Sequence, residues 1–211
     1  RHLSEEAMHA EFDTRVRKGV FGKGKPKQPG DGSIGTMFVN KAKSDDNGML
    51  TRINVLGNQE VNVLLTYSPV MLLTTMRLLI SLYTADLTVR FWALDITAAF
   101  VSAKAVRDIW VRLPNGFIPP GGKPGWVYPL LFNLYGTVDA PRAFYLDYFE
   151  WHRSIGFTSI HEDQYLVIRK GDEFIKFVTW VDDSIVAQRG EAPWKWYLAK
   201  LRTKYEFTWN S

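Results

Sequence analysis

Cysteine is absent from this 211-residue chain. That excludes a disulfide framework, a thiolate zinc site and a thiol nucleophile, and it leaves the cellular compartment open. Histidine is scarce, and His2, His9, His152 and His161 show no metal-ligand spacing. No apolar run reaches the roughly 20 residues that a membrane span needs. The most apolar stretch, "PVMLLTTMRLLISLYTA" at 69–85, carries Arg77 at its centre and reads as a buried helix, so no membrane partner is expected. The chain has no dinucleotide glycine fingerprint, and its "GKGKPK" lacks the Gly-Lys-Ser/Thr ending of a phosphate loop. It opens on Arg1 with no signal-like leader, which reads as a piece of something longer.

Apolar and aromatic side chains, by contrast, are plentiful: 46% of residues are hydrophobic, with eight Trp, nine Tyr and thirteen Phe. That is enough to bury a substantial core, and most of the rings are expected to serve it. The net charge of +4 is compatible with a polyanionic partner without requiring one.

Period and punctuation give the elements. Ser4 caps an expected amphipathic helix over 4–18, with Met8, Phe12 and Val16 at helical spacing, inside an N-terminal segment 1–21. A flexible basic linker is expected over 22–35, because Gly, Pro and Lys dominate "VFGKGKPKQPGDGSIG". Two strands flank "DDNG", a hairpin signal. Ser68-Pro69 reads as cap and first residue of a helix whose apolar face carries Leu72, Met76, Leu79, Ile80 and Tyr83. "VRFWALDI" is a buried strand ending on Asp95, and "DIWVRLPNGF" alternates Ile109, Val111 and Leu113 inward. Then come a helix from "APRAFY" to Gly156, strands "QYLVIRK" and "FIKFVTWV", and a last amphipathic helix with a strand after it over 191–211. The expected class is α+β, an antiparallel sheet with helices packed on one face.

Acids interrupt the apolar pattern at two places. "WVDDSIV" sets Asp182 beside Asp183 between strand-like flanks, and "FWALDITAAF" puts Asp95 where a buried strand emerges. Ordinary turn residues would explain the first pair. In an inserted hairpin, however, adjacent carboxylates repel and lose solvation unless a cation compensates. If the two strands are neighbours, three carboxylates converge, a donor set that suits Mg²⁺ and two-metal phosphoryl transfer.

The set "LDITAAF", "IWVRLPNGF", "LYGTVDAPRAFY", "GFTSIHEDQYLVI" and "WVDDSIVA", in this order, resembles the reverse transcriptase of copia-type LTR retrotransposons, and the likeness covers most of residues 4–188. The resemblance implies a fingers-and-palm fold, with fingers over 36–90 and palm over 91–190. It implies Asp95, Asp182 and Asp183 as the catalytic, metal-holding triad and Phe100 as the aromatic that excludes a ribose 2′-hydroxyl. Asp163 matches an acid before a strand and is assigned structure. The sequence departs from the family around the nucleotide. The fingers run is "TRINVLG", leaving Arg52 as the nearby cation; "TVDAPR" puts Asp139 in place of a Gln, with Pro141 and Arg142 kept; the loop after Asp95 is "AFVSA"; and Trp180 stands for a Tyr. A negative charge at Asp139 repels a triphosphate.

Two functions follow. One is RNA-directed DNA synthesis with two Mg²⁺ ions on an RNA template and DNA primer. The other is a domesticated, catalytically inactive module that needs no cofactor and binds RNA or protein within a larger assembly.

Overall fold

The computed structural model describes residues 2–42, 49–60, 66–160 and 165–210. The "DDNG" turn, the "HED" stretch with Asp163, and the Ser4 side chain lie outside the described residues. In chain order the elements are α1 (His2–Arg17), β1 (Lys25–Pro26), β2 (Ile34–Ala42), β3 (Met49–Val55), α2 (Leu73–Tyr83), β4 (Val89–Ile96), β5 (Trp110–Arg112), β6 (Trp126–Pro129), α3 (Ala140–Ser154), β7 (Thr158–Ile160), β8 (Tyr165–Lys170), β9 (Glu173–Trp180), β10 (Asp183–Arg189), α4 (Glu191–Arg202) and β11 (Phe207–Asn210). The helix α1 begins two residues before the Ser4 cap that the sequence suggests. Among the described residues no helix is long and apolar enough to cross a membrane.

Two compact units interleave along the chain. The first joins Arg1–Thr66 to Phe100–Ala143, the second Tyr67–Ala99 to Phe144–Ser211.

The first unit is built on a five-stranded sheet of order β1-β6-β5-β2-β3. It is mixed, not purely antiparallel as the sequence suggests, because β2 runs parallel to β5 over Ile34↔Val111 and Gly35↔Arg112. The Thr36 hydroxyl secures that short pairing by donating to the Arg112 carbonyl (2.8 Å). Helix α1 lies on β3: Phe12 is buried, and the Glu11 carboxylate accepts from the Ile53 amide (3.3 Å) while pairing with Arg15 (2.9 Å).

The segment expected as a flexible linker is instead tied to β6. Gly22 donates to the Pro129 carbonyl (2.8 Å), β1 pairs with β6, and the Lys25 ammonium sits 4.4 Å from the centre of the Trp110 ring. The reason is steric. A Cβ on Gly24 would come within 2.5 Å of the Tyr128 ring, so the glycine lets backbone lie against aromatics.

The second unit carries an antiparallel sheet of order β11-β4-β10-β9-β8-β7. Its register puts Ser184, Val186, Thr179, Phe177, Leu94 and Trp92 on one face, where α3 and α4 cover them through His152 against Phe177 and Trp194 stacked on Trp92 (5.5 Å). The opposite face carries Val178 and Ala187 under Leu79 of α2, with Met76 and Tyr83 alongside. Helices therefore cover both faces, not one. Of the apolar face expected for α2, Leu72 and Ile80 are exposed. Nor does α2 begin at Pro69. Leu72 is extended (ψ 133°) with no side-chain cap, and the stretch before it sets Met71 against the core cluster.

Candidate active site

The acids of the second unit lie at one end of its α2-covered face. Strands β9 and β10 close through a two-residue turn, Val181-Asp182, with Trp180 opposite Asp183. Antiparallel pairing then sets Asp183 directly opposite Asp95, and Asp95 opposite Thr208. Trp180, Asp183, Asp95 and Thr208 thus form one row across four strands, all on one face. The Ile96 amide donates to the Asp182 carbonyl (3.1 Å), so the Asp95–Asp183 rung is of the non-hydrogen-bonded kind, in which Cα atoms stand about 4.5 Å apart.

The row borders a cleft of 380 Å³ whose wall includes Met71, Ala93, Ile185 and Asn210. Among the described residues two carboxylates line it and no basic side chain does. Such hard oxygen donors fit a divalent cation. Among the described residues, however, no three acidic or imidazole side chains gather into a metal-ligand group. The structure pairs Asp95 with Asp183 and leaves Asp182 in the turn. The tip is also less enclosed than the apolar flanks suggest: Asp183 is exposed and Trp180 is 51% exposed.

The residues expected around a nucleotide lie in the first unit. Arg52, exposed on β3, holds its guanidinium 4.9 Å from the Tyr135 ring centre, and Phe100 meets the same ring edge-on at 5.5 Å. Tyr135 thus joins two candidates that are 48 residues apart in sequence. Asp139 is 4% exposed and is engaged by Arg107, whose Nη2 donates to its Oδ1 (2.9 Å) and whose Nε donates to its Oδ2. Arg107 also pairs with Glu60, which accepts from the Val138 amide (2.9 Å). These bonds, the one to Asp139 foremost, hold the guanidinium pKa above its ordinary value. Arg142 lies in the first turn of α3, three residues beyond Asp139.

Sequence reading missed Arg107 and Glu60, 47 residues apart, because neither stands in a motif. The acid at position 139, between apolar and small neighbours in "TVDAPR", was the available signal, since a buried carboxylate needs a cation near it.

Residues 25–208 match the family described as reverse transcriptase (RNA-dependent DNA polymerase). The chain belongs to that family. Similar to this reverse transcriptase domain are the retrovirus-related Pol polyproteins from transposons RE1 and RE2 of Arabidopsis thaliana, 30% identical over 57% of the chain and 24% over 86%. A third, from transposon TNT 1-94 of Nicotiana tabacum, is 29% identical over 64% of the chain. These stretches span only 8%, 13% and 10% of the three polyproteins. The copia-type resemblance of the motifs accords with these relatives. Among its described residues the reverse transcriptase domain is thus a mixed structure of two sheets and four α-helices.

Proposed function

We propose that this domain is an RNA-directed DNA polymerase that joins deoxynucleotides to a primer on an RNA template. The observation that carries this reading is the Asp95–Asp183 rung: two exposed carboxylates facing each other at one end of the α2-covered face, in a chain of the reverse transcriptase family. Asp95, Asp183 and Asp182 would hold Mg²⁺, which when bound lowers the pKa of the primer 3′-hydroxyl and offsets charge on the phosphates. The 3′-oxygen bonds to the α-phosphorus, the hydroxyl proton leaves, and pyrophosphate departs. The carboxylates fix the reacting groups, Arg52 supplies positive charge for the triphosphate, Arg142 is a second cation for it, and Phe100 excludes a ribose 2′-hydroxyl. Asp139 takes no part in the nucleotide grip, because its carboxylate is engaged by Arg107. That also removes one of the motives for reading the chain as an inactive module binding RNA or protein.

The test is primer extension on an RNA template with Mg²⁺, run beside Asp183→Asn. The variant is expected to lose activity on the order of 100-fold or more. In metal-free buffer it should melt about 1–3 °C higher, since like charges facing across a rung are relieved. Mg²⁺ should raise the Tm of the parent by mass action and leave the variant nearly unchanged. Equal extension by parent and variant, or none by either with no response to Mg²⁺, would favour the inactive module.

A further inference from the structure

The turn after β6 is fixed to the end of β3 and the segment that follows it at three points. The Val55 amide donates to the Tyr135 carbonyl (2.7 Å), the Val138 amide donates to Glu60 (2.9 Å), and Arg107 spans Glu60 and Asp139. The first two bonds are local stitches. The third is a buried charge cluster, with the Glu60 side chain fully enclosed, that of Asp139 6% exposed and that of Arg107 22% exposed. Two carboxylates share one guanidinium. Among the described residues Arg107 is the basic side chain that both are seen to meet, so its loss would leave two like charges buried close together. Such an arrangement is unstable and relaxes by expelling a carboxylate toward water. Asp139 is the one placed to move, because Glu60 is also held by the Val138 amide.

We propose that Arg107 is a positioning residue of the polymerase, which withholds the Asp139 carboxylate from the incoming triphosphate and fixes the turn carrying Tyr135. Tyr135 in turn seats Arg52 and abuts Phe100. The role at the nucleotide rests on the polymerase reading; the clamp itself does not. A freed Asp139, four residues from Tyr135, weakens triphosphate binding both by repulsion and by competing for Arg52. The chemical step, carried by the acids of the other unit, changes little. Arg107 thus explains how a chain with an acid at position 139 tolerates it beside a nucleotide.

Three variants test this: Arg107→Met, Asp139→Asn and the double. Arg107→Met is expected to raise the KM for dNTP about tenfold with kcat changed less than about threefold, and to lower Tm by roughly 5–15 °C. Asp139→Asn alone leaves a one-to-one Arg107–Glu60 pair and should shift KM by no more than about threefold. In the double variant the neutral Asn relieves the stranded charge, so KM and at least half of the Tm loss are recovered. As a control outside that cycle, Arg107→Lys, which keeps the charge but not the fork, should fall between parent and Met. A KM that stays high in the double variant overturns the nucleotide role, since a merely structural cavity is not mended by Asp139→Asn. Should the parent show no extension, the polymerase reading fails separately, and the clamp is judged by urea denaturation of the same four proteins. Coupling between positions 107 and 139 supports it; additive effects overturn it.

Discussion

Val181 takes a φ of 57°, a left-handed conformation that a β-branched side chain strongly disfavours. The strain, on the order of 1–3 kcal/mol, has a consequence for the acids. It permits a turn of only two residues, and that length decides which aspartate faces Asp95. An Asn-Gly turn would have formed more easily, but the chain places Asp182 within the turn and Asp183 on the first rung, opposite Asp95. The sequence displayed both acids and the apolar flanks. It could not show which of the two would face a strand some ninety residues away, because the parity of a hairpin depends on turn length. His152 was legible only as a histidine without metal spacing, yet it lies at the centre of the second unit's core. Its ring accepts from the Tyr197 hydroxyl at Nε2 (3.0 Å) and donates from Nδ1 to the Tyr148 carbonyl (2.7 Å), an arrangement that needs the neutral form. Burial draws its pKa down to about 3. Unfolded, the ring takes a proton below about pH 6.5, so its contribution to stability is complete above that pH and is lost as pH falls toward 3. Urea denaturation between pH 7.5 and 4 should show stability falling by up to roughly 3 kcal/mol from this group. His152→Gln, less stable at neutral pH, should show a shallower slope; equal slopes would assign the acid sensitivity elsewhere.

At the scale of elements, the strands and helices with strong period were readable, and the close approaches between them were not. Glycine is the instructive case. "GKGKPK" reads as flexibility because the unfolded chain gains freedom there, while the fold uses Gly24 for the opposite purpose, pressing backbone onto the Tyr128 ring. Local sequence cannot separate these uses, since both require only the missing Cβ. The parallel β2–β5 pairing was likewise invisible: it spans two rungs between segments 76 residues apart. Gly136, in the motif "LYGT", carries the same lesson at the candidate site. Its φ is +89°, and a Cβ there would lie 2.2 Å from the Val55 carbonyl oxygen, where the turn meets β3. Gly136→Ala is therefore expected to cost about 3 kcal/mol or more, by collision with backbone that cannot yield. Gly116→Ala shares a positive φ (+83°) but meets nothing within 4 Å among the described residues, and should cost only about 1 kcal/mol. Urea midpoints of the two variants check the difference, and equal losses would mean that strain at φ, not the approach to β3, sets the requirement.

For the molecule as a whole, the motifs suggested consecutive segments, and the chain instead passes between its two units at 66–67, 99–100 and 143–144. The order of motifs carries family likeness but not contact, so helix α2, ahead of Asp95 in sequence, serves the sheet that bears Asp95. Residues 91–190, though they contain all three acids and α3, omit the cover of one face of that sheet and part of the cover of the other. They lack Leu79 of α2, the strand β11 paired to β4, and the buried Trp194, Tyr197, Leu198 and Leu201 of α4. At about 1.5–3 kcal/mol for each large side chain withdrawn from water, those five residues together contribute on the order of 10 kcal/mol. That is comparable to the entire stability of an ordinary domain. A fragment of residues 91–190 is therefore expected to show no cooperative thermal transition. Residues 67–99 joined through a flexible linker to 144–211 retain the six-stranded sheet, α2, α4 and all of α3 but its first turn. That joined chain should melt cooperatively and keep the near-UV circular dichroism of the stacked Trp92–Trp194 pair. Loss of that signal, with a melt as broad as that of the 91–190 fragment, would mean that the second unit draws its order from the first and does not fold by itself.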